Sequence, residues 1–454
     1  MKHTKFLLLG IVPLILSGCG NNETTTTTTT QPTDDTSKGT VMAKLPGMIN
    51  PDKASGYDLT LEFDDKYFDE SATEENHKLT LLSFGASLNA AKTALGTFFY
   101  SSMYYDNIVS SGYDTINENT IGYYLAHKTI KDYELVSVSI RGLDYYQEWA
   151  NNLKIGKTGN HEGFDEKANA IYEALKTYLN AYSNKEIKLW LTGYSRGGGV
   201  ANVLASKLLK ERNEISVKKE NLFVYTFETP RGLALENAVE YENVFNYVNN
   251  TDPVTKIAPE EYGLYRCGKD IIINENRDVD QACLNFDEGI TLPSFTPSEG
   301  KYSNEQEFVK YVLDELLKDT ENEQTNLNTR DKFVDNYQNE IGYFIGLYFT
   351  FSATTKNKIM TDFQALDALG KLGVMADGGI YKFLKPILDT EQVEYDNEKL
   401  EPACQALNKL IQAKFTLLLH FFDISTQSMN AAAVNNLTRA INMHMPETVY
   451  SLIK

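Results

Sequence analysis

The sequence predicts an α/β protein in which helices cover both faces of a mostly parallel sheet. Two observations support this prediction: apolar runs of strand length recur through the middle of the chain, and amphipathic helical patterns separate them. The strand-like runs lie at 121–126, 135–140, 187–192, 222–227 and 244–248. Strands that alternate with amphipathic helices favour a parallel sheet that is buried on both sides.

Two helices are predicted between these strands. The first extends from about Phe164 to Tyr182, because apolar residues recur on one face at helical spacing, namely Phe164, Ala168, Ile171, Leu175 and Tyr178. The second follows 187–192, where Val200, Leu204 and Leu208 align. Upstream, 80–110 has helical spacing, whereas 40–80 mixes strand and loop patterns.

The pattern becomes helical from about Ser303 onwards. Ser303 and Gln306 form a predicted capping box at the start of the first helix. Further helices are predicted at 329–353, 361–375, 379–388 and 401–428. The stretch from Ile341 to Phe351 is very apolar but too short to span a bilayer, so a buried helix is favoured over a lipid-facing surface.

Composition excludes some classes of protein. The chain has 454 residues, of which 42% are hydrophobic and 11% aromatic, so it contains enough apolar material for a packed core. The formal net charge of −19 repels phosphate backbones, which argues against a nucleic-acid partner. No metal-ligand spacing occurs in the sequence, so we expect no cofactor, and the oligomeric state is not indicated.

The N-terminus has the pattern of an export signal. A basic start precedes the apolar stretch 6–16, and Leu16-Ser17-Gly18-Cys19 resembles the lipobox of bacterial lipoproteins. The resemblance implies cleavage after residues 1–18, acylation of Cys19, and a location on the outer face of the cell membrane. The alternative is an ordinary signal peptide that ends near a cysteine. Residues 19–40, with seven consecutive threonines, are predicted to be a solvated linker.

Three cysteines remain after Cys19. Cys267 and Cys283 flank a predicted hairpin at 270–274 and could form a disulfide, which an extracellular location permits. The alternative, equally weighted, is that these two and Cys404 are buried free thiols.

Ser195 is the predicted nucleophile of a serine hydrolase. It lies in the turn 193–197 (Gly-Tyr-Ser-Arg-Gly), between predicted strand 187–192 and a predicted helix. Such a turn needs glycines around the serine and exposes its hydroxyl at the helix N-terminus, where N–H groups and the dipole favour negative charge. The short pattern alone is weak, but the strand, the helix and the glycines 197–199 strengthen it.

A serine hydroxyl needs a base to become a nucleophile. In α/β-hydrolase folds the acid and the histidine follow the serine in the chain, and of six histidines His420 and His444 do so. His420 lies in an apolar helical run, where a core histidine is the default. His444 lies in a loop before Pro446 and is therefore favoured as the base.

The predicted acid is Asp252, just beyond strand 244–248, where an open α/β sheet places its site. It would orient the imidazole and stabilise its cation, although an ordinary turn aspartate is the alternative. Two backbone donors are expected for the oxyanion. One is the N–H of Arg196, and the loop from Arg141 to Leu143 fits the other.

Together these segments resemble the class 3 lipases, the fungal-type triacylglycerol lipase family. The similar segments are 139–143, 161–164, 193–198, 227–231 with 249–254, and 444–450. The resemblance implies that Ser195 is the nucleophile, Asp252 the acid and His444 the base, with Leu143 and Arg196 as backbone oxyanion donors. It also implies a structural role for His161. Residues 144–149 occupy the family's lid position, where three aromatics are either lid residues or buried packing residues: Tyr145, Tyr146 and Trp149.

The chain departs from the family pattern at several positions. Tyr194 and Arg196 replace the usual His and Leu, Leu143 replaces a hydroxyl residue, and Glu228 replaces a glycine. Asp252 and His444 are 192 positions apart, which implies a large helical insertion. We therefore predict an α/β-hydrolase core at 41–299, a helical cap insertion at 300–436, and a return to the core at 437–454.

The resemblance predicts hydrolysis of lipid esters, either acylglycerols or phospholipids, through an acyl-enzyme. One alternative is a carboxylesterase that acts on smaller soluble esters, because a cap can narrow a lipase site. A second alternative, from another class, is a surface-binding lipoprotein without activity. The expected partners are therefore a lipid or ester substrate and, through the N-terminal lipid anchor, the membrane.

Overall fold

The computed structural model describes residues 36–114, 119–144, 146–182, 185–210, 214–215, 217–319, 326–423 and 428–454. The predicted signal peptide and Cys19 lie outside these residues. The chain divides into two compact units. The sheet unit contains the described parts of Gly18–Tyr145, Thr158–Leu292 and Asn442–Lys454, and the helical unit contains Tyr146–Lys157 and Pro293–Ile441.

The sheet unit is built around one large sheet. Its strands of four or more residues are β1 (Lys38–Leu45), β2 (Tyr57–Asp64), β3 (Asp106–Ser111), β4 (Tyr123–Ile130), β5 (Tyr133–Ile140), β6 (Glu186–Tyr194), β7 (Leu222–Phe227), β8 (Val244–Val248) and β9 (Lys269–Ile272). In the described residues the large sheet has seven strands in the order β9-β8-β7-β6-β5-β4-β3. Strands β5 to β9 pair in parallel, β3, β4 and β5 pair antiparallel, and β1 and β2 form a separate hairpin.

The helices, numbered in chain order, are α1 (His77–Asn89), α2 (Thr93–Ser102), α3 (Glu162–Leu179), α4 (Arg196–Leu209), α5 (Val279–Phe286), α6 (Glu305–Leu317), α7 (Arg330–Asn336), α8 (Gln338–Thr350), α9 (Ala353–Ala365), α10 (Ala368–Met375), α11 (Gly379–Thr390), α12 (Asn397–Ala413), α13 (Phe415–Phe421), α14 (Ala431–Asn442) and α15 (Pro446–Ile453). No helix among the described residues is both long and apolar enough to cross a bilayer.

Both faces of the sheet are buried, as the two apolar clusters around β6 demonstrate. Leu189 and Leu191 belong to a cluster with α3 and α4, whereas Trp190 and Tyr194 belong to a cluster with α1, α2 and α15. This alternation follows from the two-residue period of a strand, whose successive side chains point to opposite faces. The predicted α/β-hydrolase-type fold, a mostly parallel sheet flanked by helices, is therefore confirmed.

The strands predicted at 187–192, 222–227 and 244–248 are confirmed as β6, β7 and β8, and the two predicted helices as α3 and α4. The helical prediction for 80–110 is wrong at its end, because Asp106–Ser111 forms the edge strand β3. The predicted hairpin at 270–274 is also wrong. Lys269–Ile272 is a single edge strand, β9, which runs parallel to β8.

The disulfide between Cys267 and Cys283 is not formed, and both residues, like Cys404, are buried free thiols. The reason is their position in the core. Cys267 packs in the apolar cluster with α3 and α4, whereas Cys283 packs in a separate small cluster with Met443.

The helical unit has an apolar core of its own. Ile341, Phe344 and Ile345 on α8 are buried in a cluster with residues of α11 and α12, which confirms that this apolar stretch is a buried helix. The segment Tyr146–Lys157 also belongs to this unit, which the sequence patterns do not indicate. The side chains of the predicted lid aromatics Tyr145, Tyr146 and Trp149 lie outside the part that the structure describes.

The first long helix of this unit, α6, begins one residue later than its predicted capping box. Asn304 is the N-cap, and its side chain accepts a hydrogen bond from the backbone N–H of Glu307. Glu307 in turn accepts hydrogen bonds from the backbone and hydroxyl of Ser303. The predicted box between Ser303 and Gln306 is therefore replaced by two linked contacts, in which Asn304 caps the helix and Glu307 accepts hydrogen bonds from the preceding Ser303.

Candidate active site

Ser195 lies in a strained turn that connects β6 directly to α4. Its backbone has φ 53° and ψ −124°, a left-handed combination that residues with a Cβ rarely adopt. Two backbone hydrogen bonds hold the turn: Ser195 N–H donates to the carbonyl of Phe227 at 2.8 Å, and Gly199 N–H donates to the carbonyl of Ser195 at 3.0 Å. The side chain of Ser195 thus stands at the N-terminus of a 14-residue helix.

The turn requires glycines because backbone segments approach each other closely there. A Cβ on Gly193 would lie 2.2 Å from the carbonyl oxygen of Gly197, and a Cβ on Gly197 would lie 2.3 Å from that of Ile140. These distances are far shorter than van der Waals contact. The glycines therefore allow α4 to begin directly against the ends of β5 and β6.

His444 lies in the short loop between α14 and α15, where Pro446 starts the new helix. Its Nε2 lies 2.9 Å from Oγ of Ser195, and its Nδ1 lies 2.6 Å from Oδ2 of Asp252. The hydroxyl of Tyr194 donates a hydrogen bond to the backbone carbonyl of His444. The loop is thus attached to β6 through the residue that precedes the serine.

Asp252 is completely buried in the turn that follows β8. Its Oδ1 accepts a hydrogen bond from the N–H of Val254 at 2.8 Å, while Oδ2 faces His444. The backbone N–H of Asp252 donates to the carbonyl of Asn249, which closes the turn. Asp252 is therefore both a turn residue and the partner of the imidazole, so the two interpretations of this residue do not exclude each other.

Glu228 is a second acidic residue beside this group, and its role was not predicted from the sequence. It directly follows β7, has φ 46°, and is completely buried. Both carboxyl oxygens lie within hydrogen-bond distance of the N–H of Asn249, at 3.2 and 3.1 Å. Burial, followed by the charge of Asp252 and a hydrogen bond to it, raises the pKa of Glu228 well above its ordinary value.

The predicted oxyanion donors border the same turn. A Cβ on Gly142 would lie only 1.7 Å from the carbonyl oxygen of Tyr194 and 3.0 Å from the nitrogen of Gly197, so the backbone before Leu143 touches the serine turn. Arg196 is the first residue of α4 and is buried. Its guanidinium extends to the carbonyl of Thr120, 3.5 Å away, so its side chain reaches back towards the residues before β4.

His420, the alternative candidate for the base, and His161, for which the resemblance implies a structural role, both make contacts outside this hydrogen-bonded group. His161 is the N-cap of α3: its Nδ1 accepts a hydrogen bond from Phe164 N–H, and its ring stacks on the Phe164 ring. His420 lies in the helical unit, where its ring nitrogens contact Lys301 Nζ at 3.0 Å and the hydroxyl of Tyr302 at 2.7 Å. Burial, with a contribution from Lys301, lowers the pKa of His420 to about 4.

Donor atoms of Glu228, Asp252 and His444 lie within 4.8 Å of one another, which raises the question of a metal ion. The contacts of the imidazole argue against a metal ion. Both ring nitrogens of His444 already have hydrogen-bond partners, Asp252 on one side and Ser195 on the other. The arrangement therefore fits proton transfer between Ser195 and an imidazole that Asp252 orients better than it fits metal coordination.

Comparison with known proteins associates part of this unit with lipases. Residues 137–262, which include Ser195 and Asp252 but not His444, match the sequence model of the family described as Lipase (class 3). No curated protein matches the chain.

Similar solved structures include three lipases. A fungal lipase in complex with an inhibitor has 17% sequence identity and a TM-score of 0.36, over 43% of this chain and 78% of that chain. A lipase from Rhizopus microsporus var. chinensis has 18% identity and a TM-score of 0.34, over 44% and 75%. A triacylglycerol lipase with a serine-protease triad has 19% identity and a TM-score of 0.36, over 45% and 83%. At such low identities the likeness does not define a substrate.

Proposed function

We propose that this protein is a serine hydrolase that cleaves carboxylic esters of lipids. The observation that carries the proposal is the hydrogen-bond chain from Ser195 through His444 to Asp252, on a strained turn at a helix N-terminus. A buried serine in this arrangement has a base within reach, and the base has an orienting acid. The match of residues 137–262 to the class 3 lipase family supports lipid esters as the substrate class.

The reaction follows from the order of these groups. Oγ of Ser195 attacks the ester carbonyl carbon while its proton passes to Nε2 of His444, and Asp252 stabilises the imidazolium through Nδ1–H. The tetrahedral intermediate then expels the alcohol, which takes the proton from His444 and leaves an acyl-enzyme. A water molecule attacks the acyl carbon with His444 as base, which releases the fatty acid and returns the proton to Ser195.

The negative charge on the substrate oxygen would be stabilised by backbone donors. We assign this role to the N–H groups of Arg196 and Leu143. The first begins α4, whose N-terminal dipole favours an anion. The second is supported by the close contact of Gly142 with the serine turn, because the N–H of Leu143 follows Gly142 directly in the chain.

We also propose that the enzyme acts outside the cytoplasm, held to the cell membrane by a lipid on Cys19. The support is the N-terminal sequence: a basic start, an apolar stretch of eleven residues at 6–16, and small residues before the cysteine. The net charge of −19 supplies no attraction to anionic lipids, so membrane contact depends on the acyl chains.

Fluorophosphonate labelling tests the proposed chemistry, because this reagent reacts with an activated serine and needs no knowledge of the substrate. We expect the full chain to be labelled and Ser195→Ala not to be labelled. Ser101→Ala, which alters an exposed serine on α2, is the matched control and should be labelled normally. Equal labelling of Ser195→Ala and the wild type would disprove the assignment of the nucleophile.

Rates on two kinds of ester test the substrate class. A lipase should hydrolyse emulsified long-chain acylglycerols or phospholipids faster than short soluble esters at equal enzyme concentration. The opposite ranking would identify a carboxylesterase. Ser195→Ala should abolish both activities, and this controls for contaminating esterases.

A further inference from the structure

The carboxyl group of Glu228 lies beside Asp252, yet the reaction described above gives it no role. Glu228 is completely buried, and an oxygen of its carboxyl group lies within 4.8 Å of both the Asp252 carboxylate and a ring nitrogen of His444. Its φ of 46° is a conformation that favours glycine over residues with a side chain. A buried acid in a strained backbone, directed at a second buried acid, therefore needs an explanation.

Two ionised carboxylates at this distance in a buried site would repel each other strongly. The groups that face Glu228 do not offset this repulsion. The N–H of Asn249 donates to it, and the guanidinium of Arg266 is near but already binds the Asp270 carboxylate and the carbonyls of Thr229 and Thr255. Burial and the neighbouring Asp252 accordingly raise the pKa of Glu228 well above its ordinary value.

We propose that Glu228 is protonated in the working enzyme and donates a hydrogen bond to the Asp252 carboxylate. Asp252 already receives the N–H of Val254 on one oxygen and faces His444 with the other. Glu228 adds a further donor and so holds the carboxylate in position against the imidazole. Glu228 is thus a positioning residue, which acts on the reaction through Asp252. This inference rests on the proposed hydrolase function.

The proton on Glu228 also sets the charge beside the imidazole. With Glu228 neutral, His444 faces a single negative charge and can both accept and release a proton. Loss of the Glu228 proton would remove the hydrogen bond, repel Asp252 and add a second negative charge, which stabilises the imidazolium and makes it a weaker acid towards the leaving alcohol. Activity should therefore fall on the alkaline side as Glu228 loses its proton.

The pH dependence of kcat in two variants tests this proposal. Glu228→Gln keeps a donor for Asp252 and an acceptor for Asn249 but cannot ionise, so kcat at neutral pH should stay within about twofold of the wild type. In this variant, the fall of kcat on the alkaline side of the pH profile, the alkaline limb, should shift to a pH that is higher by about one unit or more. Glu228→Ala removes the donor and should lower kcat about tenfold with little change in KM.

Glu447→Gln is the matched control, because it changes another completely buried glutamate of the same unit, whose carboxyl accepts hydrogen bonds from Met48 and Ile49 N–H. It should leave the alkaline limb unchanged. The proposal is overturned if the limb of Glu228→Gln coincides with that of the wild type, or if Glu228→Gln is as impaired as Glu228→Ala. The first result would mean that a group other than Glu228 causes the loss of kcat at alkaline pH. The second would mean that the reaction needs an ionised carboxylate at position 228.

An infrared spectrum separates failure of this inference from failure of the proposed function, because it requires no substrate. With ¹³C-labelled glutamate, the difference between the spectra of the wild type and Glu228→Gln at neutral pH should contain a carboxylic-acid carbonyl band. Because burial also raises the pKa of Glu447, the band assigned to Glu228 is the one that Glu447→Gln retains and Glu228→Gln loses. Presence of the band without ester hydrolysis or fluorophosphonate labelling would contradict the hydrolase function alone. Absence of the band in an enzyme whose Ser195 is labelled would contradict the role of Glu228 alone.

Discussion

The hydroxyl of Tyr194 donates a hydrogen bond to the backbone carbonyl of His444, although the two residues are 250 positions apart in the chain. Tyr194 immediately precedes Ser195 and is completely buried, and its ring lies 5.6 Å from the imidazole ring. The strand that carries the nucleophile therefore also holds the loop that carries the base. This hydrogen bond therefore connects the turn with Ser195 to the loop with His444, two segments that are far apart in the sequence.

Tyr194→Phe should reduce both stability and turnover. It leaves the buried carbonyl of His444 without its donor, which should cost about 1–3 kcal/mol in the free energy of unfolding. The loop should also become less well positioned, so kcat on a soluble ester should fall about tenfold. Urea unfolding and steady-state kinetics measure the two effects.

Tyr124→Phe is the control for Tyr194→Phe. Tyr124 is also completely buried and donates to a backbone carbonyl, that of Thr93, but it lies on β4. It should lose a similar amount of stability and keep the wild-type kcat. If both variants lose kcat to the same degree, the contact between Tyr194 and His444 has no special role in positioning the base.

The elements that could be predicted from the sequence are those whose own residues are apolar enough to indicate that they are buried. Strands β6, β7 and β8 are short apolar runs, and the whole of β7 and β8 is buried. The edge strand β3 has the sequence Asp-Asn-Ile-Val-Ser-Ser and no buried residue, so nothing in its own composition indicates a strand. It forms a strand because it pairs with β4, and this pairing cannot be recognised from the residues of β3 alone.

The same distinction applies to the site. Ser195 and Asp252 follow strands that are recognisable locally, and chain order left two histidines for the third position. The contact between Glu228 and Asp252 depends instead on a left-handed backbone at Glu228, which turns its side chain towards the next loop. The sequence shows that position 228 is a glutamate, but it does not show the backbone angle there, so the role of Glu228 could not be predicted.

Asp252→Asn should abolish most of the activity without unfolding the protein. An asparagine cannot stabilise the imidazolium and disfavours the required tautomer, so kcat should fall by about 10³–10⁴. Asp278→Asn is the matched control, because Asp278 is the N-cap of α5 and asparagine caps helices equally well. A loss of less than about tenfold in Asp252→Asn would exclude Asp252 as the acid of the triad.

Gly142→Ala should destabilise the sheet unit and displace the proposed oxyanion loop. Its Cβ would lie 1.7 Å from the carbonyl oxygen of Tyr194, so either β5 or the serine turn must move. We expect a loss of about 2–4 kcal/mol in the free energy of unfolding, together with a lower kcat. Gly373→Ala, on α10 with no atom near the added Cβ, should be tolerated. Wild-type stability of Gly142→Ala would contradict the close packing of this loop.

Cys19→Ser should release the protein from the membrane without affecting its chemistry. Without a thiol at position 19 no lipid can be attached, so the proposed anchor is lost. Cell fractionation and mass spectrometry of the N-terminal peptide measure release and acylation, with Thr27→Ala in the same linker as the control. A Cys19→Ser protein that stays in the membrane fraction would contradict the lipoprotein assignment.

His420 should make the stability of the protein fall as the pH is lowered. Its pKa is about 4 in the folded state and 6.5 ordinarily, so between these values the unfolded chain binds a proton that the folded chain does not. Stability attributable to His420 is therefore complete above pH 6.5 and lost as the pH falls through about 4, with a total on the order of 3 kcal/mol. Urea unfolding at several pH values measures the slope.

His420→Gln removes the titrating group while an amide remains to meet Lys301 and Tyr302, so its unfolding free energy should vary less between pH 6.5 and 4 than that of the wild type. His77→Gln, at the exposed start of α1, is the matched control and should keep the wild-type slope. Identical slopes for His420→Gln and the wild type would show that protons bound elsewhere control acid stability. A steeper slope in the variant would reverse the sign and exclude a neutral His420 in the folded protein.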